Sequence, residues 1–188
     1  TAFITYCGPF NADFREILAV EKFTGDLKEK EIPHIATLAY ELTSFLVDEA
    51  TVGEWNLQGL PKDTLSVQNA IMVTTSDKYP LIIDPQGQGQ SWILRKYADE
   101  MEKNRSISTQ THPKFKDWFL KYCLENGKAL LVEGIENEVD PVLDPVLEKQ
   151  IIWKKNRGSI KIAGNDLDFD KNFKMFLTCR LPNPSFSP

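Results

Sequence analysis

Between Asn11 and Lys30 the apolar residues Phe14, Ile17, Leu18, Phe23 and Leu27 recur at helical spacing, which predicts an amphipathic helix with one buried face. Asn11 is placed to cap it, and Asp13 falls near its positive end. Gly8-Pro9 breaks the chain before the helix, and Ile32-Pro33 ends it. Ala36 to Val47 is a second, more apolar stretch, helical at least in part. Thr51 to Leu65 carries Gly53, Gly59 and Pro61 and reads as an irregular wrap in which Trp55 and Leu57 pack down. Ser66 caps a short helix through Val67, Ala70, Ile71 and Val73, which leads to the next apolar run.

From Pro80 onward strand patterns alternate with helical ones. Leu81-Ile82-Ile83, bounded by Pro80 and Pro85, predicts a short buried strand, and a glycine-bearing turn then leads into a helix from about Gln90 to Lys103 with Trp92, Ile93, Tyr97 and Met101 on one face. Ile107 and Thr109 suggest a short edge strand. Pro113 opens a helix carrying Phe115, Trp118, Phe119, Tyr122 and Cys123 as core residues, closed by Asn126-Gly127 as a left-handed cap. Ala129 to Glu133 is a second buried strand, followed by a helix from about Pro141 to Ile151. Ser159 to Ile162 and Asp166 to Phe169 alternate in period two around Ala163-Gly164-Asn165 and predict a β-hairpin. Lys174 to Cys179 is a further apolar strand, and the tail from Leu181 is too rich in proline to be regular. This order implies an α/β fold with a mainly parallel sheet, whose site lies at the carboxyl ends of the strands, where Asp84, Gly87, Gly89, Gln90, Glu133 and Arg180 gather.

Composition narrows the classes of function. A chain of 188 residues, 41% hydrophobic and 26% charged, has the make-up of one soluble, well-packed domain. Its net charge of -5 argues against a nucleic-acid or anionic-membrane surface. No apolar run approaches the roughly 20 residues that span a bilayer, and an intracellular setting is expected. Cys7, Cys123 and Cys179 form no C-x-x-C, and with only His34 and His112 beside them no spacing resembles a zinc or redox site. Buried free thiols are the expectation.

The candidate chemistry sits in the turn after the first strand. The phosphate-binding pattern G-x-x-x-x-G-K-[ST] uses glycines to let backbone N–H groups close on phosphates, a lysine for the outer phosphates and a hydroxyl for magnesium. Laid on Asp84-Pro85-Gln86-Gly87-Gln88-Gly89-Gln90-Ser91, the first glycine is Asp84, the second is Gly89, the lysine is Gln90 and the hydroxyl is Ser91. A neutral amide replaces the cation, and a carboxylate beside the loop repels phosphate unless it is neutralised or turned away. Gly87-x-Gly89 also resembles the start of a dinucleotide fingerprint, but the third glycine position is Trp92. The second buried strand ends in Glu133, suited to help hold magnesium on a strand expected beside the loop strand, and the following residue, where a water-activating glutamate commonly stands, is Gly134. Glu136 and Glu138 either substitute for that base or simply precede a helix start at Asp140-Pro141.

Taken together, Gly8-Pro9-Phe10, Trp55-Asn56-Leu57-Gln58-Gly59-Leu60-Pro61, Gln68-Asn69-Ala70-Ile71, Pro80-Leu81-Ile82-Ile83-Asp84-Pro85-Gln86, Leu143-Asp144-Pro145-Val146-Leu147-Glu148-Lys149 and Leu181-Pro182-Asn183-Pro184 resemble the dynein heavy chain. The likeness covers nearly the whole chain and is to the large α/β part of the fifth AAA+ module of the motor ring, in ciliary outer-arm heavy chains above all. It implies a phosphate-loop NTPase-like large subdomain over 1–188, with helices on both faces of the sheet and an inserted β-hairpin. Within it, 1–79 would form helices and a wrap, 80–181 the sheet core and 182–188 a truncated linker, the final strand, arginine finger and lid lying beyond.

The resemblance also implies a function. In the family, ATP hydrolysis belongs chiefly to the first module of a six-module ring, and the fifth is a structural member in a motor that moves along microtubules in cilia. By position, Gly87, Gln88, Gly89, Gln90 and Ser91 are the phosphate-loop equivalent, Glu133 stands at the second acidic motif and Arg180 falls at a polar sensor. Where some outer-arm relatives keep Lys and Thr in the loop, this chain has Gln90 and Ser91. A scaffold without catalytic residues, resident cofactor or metal is the expectation, its partners being neighbouring AAA+ modules and, through the parent chain, other dynein subunits and microtubules, with no nucleic acid and no membrane. The alternatives are a module that holds ADP or ATP with magnesium as a fixed strut, and an active ATPase using Glu136 or Glu138.

Overall fold

The computed structural model describes residues 10–34, 42–155 and 157–186. Gly8-Pro9, Cys7 and the beginning of the Ala36–Val47 stretch lie outside the described residues. The chain divides into two compact units, Thr1–Lys78 and Tyr79–Pro188.

The first unit is helical where it is described. Helix α1 runs as Ala12–Glu16, a wider π-type segment at Ile17–Phe23, and Thr24–Glu29. The Asn11 side chain accepts the N–H of Phe14, the cap expected from the sequence. The expected buried face is not found: Phe14, Ile17 and Phe23 are exposed, while Arg15 and Thr24 are buried. The π-type turns change the angle between successive side chains, so positions spaced for an α-helix no longer share one stripe. Arg15 reaches across the unit to donate to the Asn69 side chain at 2.9 Å.

Helix α2 covers Leu42–Leu46 and packs against α4, Thr64–Thr75. Between them the expected irregular wrap is instead a regular helix, α3, at Glu49–Leu57, capped by Asp48 through the N–H of Thr51. The breakers have other uses. Gly53 is tolerated inside the helix, and Gly59, at φ 99°, terminates it while Leu60 N–H bonds back to Trp55 O and Gly59 N–H to Asn56 O. Trp55 is buried, but Leu57 is 89% exposed and does not pack down. The cap of α4 is Asp63, whose side chain accepts the N–H of Ser66; Ser66 is inside the helix, three residues further on.

The second unit holds two sheets. β1 (Leu81–Ile83), β2 (Ile107–Thr109), β3 (Ala129–Glu133) and β7 (Lys174–Cys179) form a wholly parallel sheet in the order β1-β7-β3-β2. β1 is an edge strand with Ile83 52% exposed, so it is less buried than its apolar run implies. β3 is not beside β1, because β7 returns from the end of the chain to lie between them. The neighbouring sheet is antiparallel, in the order β4 (Ile151–Lys154), β5 (Arg157–Ile162) and β6 (Asn165–Phe169). The expected hairpin joins β5 and β6 through Ala163 and Gly164, both at positive φ as a two-residue I′ turn requires. β4 was not expected: the helix read from Pro141 to Ile151 is a 3-10 turn, Pro141–Leu143, followed by α7, Asp144–Leu147. Lys149, at positive φ, then turns the chain into β4.

Two helices complete this unit. α5 (Gln88–Lys96) follows β1 and stops short of the expected Lys103; Tyr97 leaves helical geometry and a 3-10 turn, Ala98–Glu100, follows. α6 comprises π-type turns at Phe115–Leu120 and α-helix at Lys121–Asn126, closed by Gly127 at φ 61°. Phe115, Leu120, Cys123 and Leu124 of α6 enter the core with Leu130 and Val132 of β3, Met175 and Leu177 of β7, and Ile160 of β5. Trp118 stays exposed on the same helix, with the Arg105 guanidinium 4.3 Å from its ring centroid. Cys123 and Cys179 are free and buried, and burial pushes the Cys123 thiol up to about 11.

Candidate phosphate-loop site

The parallel sheet places the carboxyl ends of β1 and β3 at the same edge of the fold. β1 ends at Ile83, and Asp84 N–H continues the ladder by donating to Cys179 O at 2.7 Å. Gly87, at φ 74°, then reverses the chain into α5, a geometry glycine adopts without strain. Gly89 is packed closely as well, since a Cβ there would lie 3.3 Å from the Ile82 Cγ2.

The loop therefore turns as a phosphate loop turns, but two of its amides are already occupied by a side chain. The Asp84 carboxylate is directed into the turn, where Oδ1 accepts the N–H of Gln88 at 3.0 Å and Oδ2 accepts the N–H of Gln90 at 2.8 Å. Asp84 is only 9% exposed. The first N–H groups of a helix lack partners within it and favour an anion, and here the strand's own side chain supplies one. Each bond to a charged acceptor contributes on the order of 1.5–3 kcal/mol.

Gln90 and Ser91 are committed elsewhere. The Gln90 side-chain amide donates to Glu133 Oε1, linking the helix start to the end of β3 across the intervening β7. Ser91 Oγ donates back to Gly87 O at 2.7 Å, so the hydroxyl in the magnesium-ligand position closes the first turn of its own helix. The structure thus brings Gly87, Gln88, Gly89, Gln90, Ser91 and Glu133 to one place. Arg180 follows β7 with its side chain exposed, and among the described residues no hydrogen bond or ion pair joins it to the loop.

Downstream of Glu133, Gly134 takes φ 72° and Ile135 returns to the core by donating to Thr178 O. Glu136 and Glu138 are exposed. Asp140 caps the following turn by accepting Val142 N–H, with Pro141 at its first position, as an acidic helix start does. Among the described residues no group of three or more His, Cys, Asp or Glu side chains is placed to hold a metal ion, and no helix is long and apolar enough to cross a membrane.

Sequence reasoning placed Asp84 at the loop but assigned it only a repulsive part. The signal for its actual part was its spacing of four and six residues before two backbone donors at a helix start, a local carboxylate-to-amide pattern that acidic caps share.

A parallel sheet whose edge strand runs through a glycine turn into a helix, with an acidic strand end bonded to that turn, defines an AAA+ phosphate-loop fold. The chain belongs to the dynein heavy chain family: residues 53–188 match the family described as the ATP-binding dynein motor region. It is similar over its full length to the dynein gamma chain of the flagellar outer arm of Chlamydomonas reinhardtii, at 46% identity, and to dynein axonemal heavy chain 8 of Homo sapiens, at 43%. The dynein beta chain of the Chlamydomonas outer arm is 38% identical over the same span. The chain spans 4% of the length of each of these relatives.

Proposed function

We propose that this chain is a structural, non-hydrolysing AAA+ module of a dynein heavy chain, relaying rearrangement between the ATPase module of the ring and the microtubule-binding stalk. Residues 1–188 act as one large subdomain whose partners are the neighbouring AAA+ modules of the same heavy chain. Through the parent chain they include other dynein subunits and microtubules, in the cytoskeleton of the cilium, the setting that the axonemal and flagellar names of the relatives support.

The single observation behind a non-hydrolysing part is the Asp84 carboxylate in the amide nest of its own loop. A phosphate approaching Gln88 and Gln90 N–H meets a buried negative charge, no lysine offsets the repulsion, and Gly134, not an acid, stands directly after Glu133 where a water-activating glutamate commonly sits. Titration of the chain with fluorescent ATP and magnesium tests this: no saturable binding is expected, and micromolar affinity would defeat it.

A second reading is supported by the family's ATP-binding description and by the intact turn from Gly87 into α5. The backbone from Gly87 to Ser91 would hold ADP or ATP as a strut once Asp84 swings away, without turnover.

A further inference from the structure

The antiparallel sheet carries a feature that the ring-scaffold reading does not use. β4 is an edge strand, and among the described residues no strand pairs with its outer side. Ile152 is 62% and Trp153 51% exposed on it. Trp153 is nonetheless held in place, packed over Gly158 and edge-on to Phe169 at 6.0 Å between ring centroids. A ring fixed in this way offers contact area with little conformational freedom left to lose on binding.

Charge is distributed unevenly around this strand. From Lys149 to Lys161 the chain carries Lys149, Lys154, Lys155, Arg157 and Lys161 and no Asp or Glu, in a chain whose net charge is -5. Among the described residues no carboxylate forms an ion pair with Lys154, Lys155 or Arg157. The acids of this sheet, Asp166 and Asp168, belong to β6, at the opposite edge. A solvent-open cleft of about 410 Å³ flanks β4 on the side of Lys149, Ile152 and Lys161, and another of about 460 Å³ lies beside Trp153, Lys155 and Arg157. Asp166, paired across from Lys161, also lines the first cleft, and Glu125, Asp168 and Asp170 line the second, so the cationic surplus is concentrated along β4 and its turn.

We propose that the free edge of β4 receives an extended, acidic polypeptide segment as an added strand. Backbone groups of β4 other than Ile151 N–H, which donates to Lys149 O, and Ile152 O, which accepts from Ser159 Oγ, supply the affinity of strand addition; Ile152 and Trp153 take apolar side chains on opposite faces of the added strand, and Lys154, Lys155 and Arg157 select carboxylates. A second copy of this chain is a poor occupant, because edge-to-edge pairing brings the two cationic stretches together. Lysines on an edge strand do oppose aggregation in that way, but a strand that is merely protected has no use for a fixed, half-exposed tryptophan beside a cleft.

The test uses the whole chain and a dye-labelled octapeptide of alternating Glu and Val, followed by fluorescence anisotropy. Saturable binding is expected, weakened by roughly tenfold or more in the triple variant Lys154→Glu, Lys155→Glu, Arg157→Glu, whose charge-swapped surface then prefers the alternating Lys and Val peptide. Circular dichroism of the variant separates lost binding from lost folding, and the swapped preference requires a folded surface. Absence of saturable binding overturns the proposal, as does equal binding of a peptide N-methylated along one edge, which keeps the charge but cannot add as a strand. Tighter binding of a thymidine oligonucleotide than of the acidic peptide would assign the basic surface to nucleic acid instead. None of these outcomes depends on whether the loop at Asp84 takes nucleotide.

Discussion

Asp84 and Gln90 are joined through the backbone: the carboxylate of the first accepts the N–H of the second at 2.8 Å, while the side chain of the second donates to Glu133. The residue at the first glycine position of a phosphate loop thus fills the space that glycine would leave for phosphate. Replacing Asp84 with Ala removes the acceptor from two helix-start amides, and a loss of about 1–3 kcal/mol in unfolding free energy is expected from urea denaturation. Asp84→Asn keeps one carbonyl acceptor and should lose less. An unchanged midpoint in Asp84→Ala would show that the carboxylate contributes nothing to the fold.

Nucleotide affinity should be recoverable by two changes. Asp84→Gly with Gln90→Lys restores the G-x-x-x-x-G-K-S pattern in a loop that already turns at Gly87 into α5. Titration calorimetry with ATP and magnesium is expected to show binding by the double variant and none by the parent, while Gln90→Lys alone leaves the carboxylate in place and binds weakly or not at all. Equal failure of the double variant in a folded protein would locate the defect outside the loop.

Helix α4 depends on Asp63 in a way that pH reveals. The Ser66 hydroxyl and then the Ser66 N–H hold the Asp63 carboxyl below its usual value of 3.8. A carboxyl lowered in the folded state stabilises above its unfolded value, and that contribution fades as pH falls through the folded one. Asp63→Ala should therefore cost about 0.5–2 kcal/mol near neutrality, and the gap between parent and variant should narrow below about pH 4. Thermal melts across that range read the effect, and a gap that widens with acid would contradict it.

Two turns should respond in opposite directions to small changes. Gly127 sits at φ 61° with room only for hydrogen, since a Cβ would meet Asp170 Oδ1 at 2.6 Å, so Gly127→Ala should destabilise by more than about 1 kcal/mol. Ala163 occupies a left-handed position at φ 49° in the β5–β6 turn, and Ala163→Asn should stabilise by roughly 0.5–1 kcal/mol. Chemical denaturation of both variants measures them directly.

Much of the architecture was legible in the residues. β3 and β7 are runs long and apolar enough to be buried on both faces, and Ala163-Gly164 between alternating strands specifies a hairpin. Glycines were harder to read, because the same residue type breaks one helix and terminates another: Gly59 suggested an irregular wrap where it closes α3. β4 was hidden because Ile151-Ile152-Trp153 continues the apolar spacing of the turn before it, and only the positive φ of Lys149 separates the two.

The class of fold, the position of the loop and the loss of its cation are read from residue order alone, because periodicity, turn residues and side-chain charge are local properties of a chain. Long-range packing fixed where the Asp84 carboxylate points, that β7 parts β1 from β3, and that Gln90 still reaches Glu133 across it. Those facts follow from strand order and from which donors a buried acid finds within reach, and neither is written in the spacing of residues along one segment.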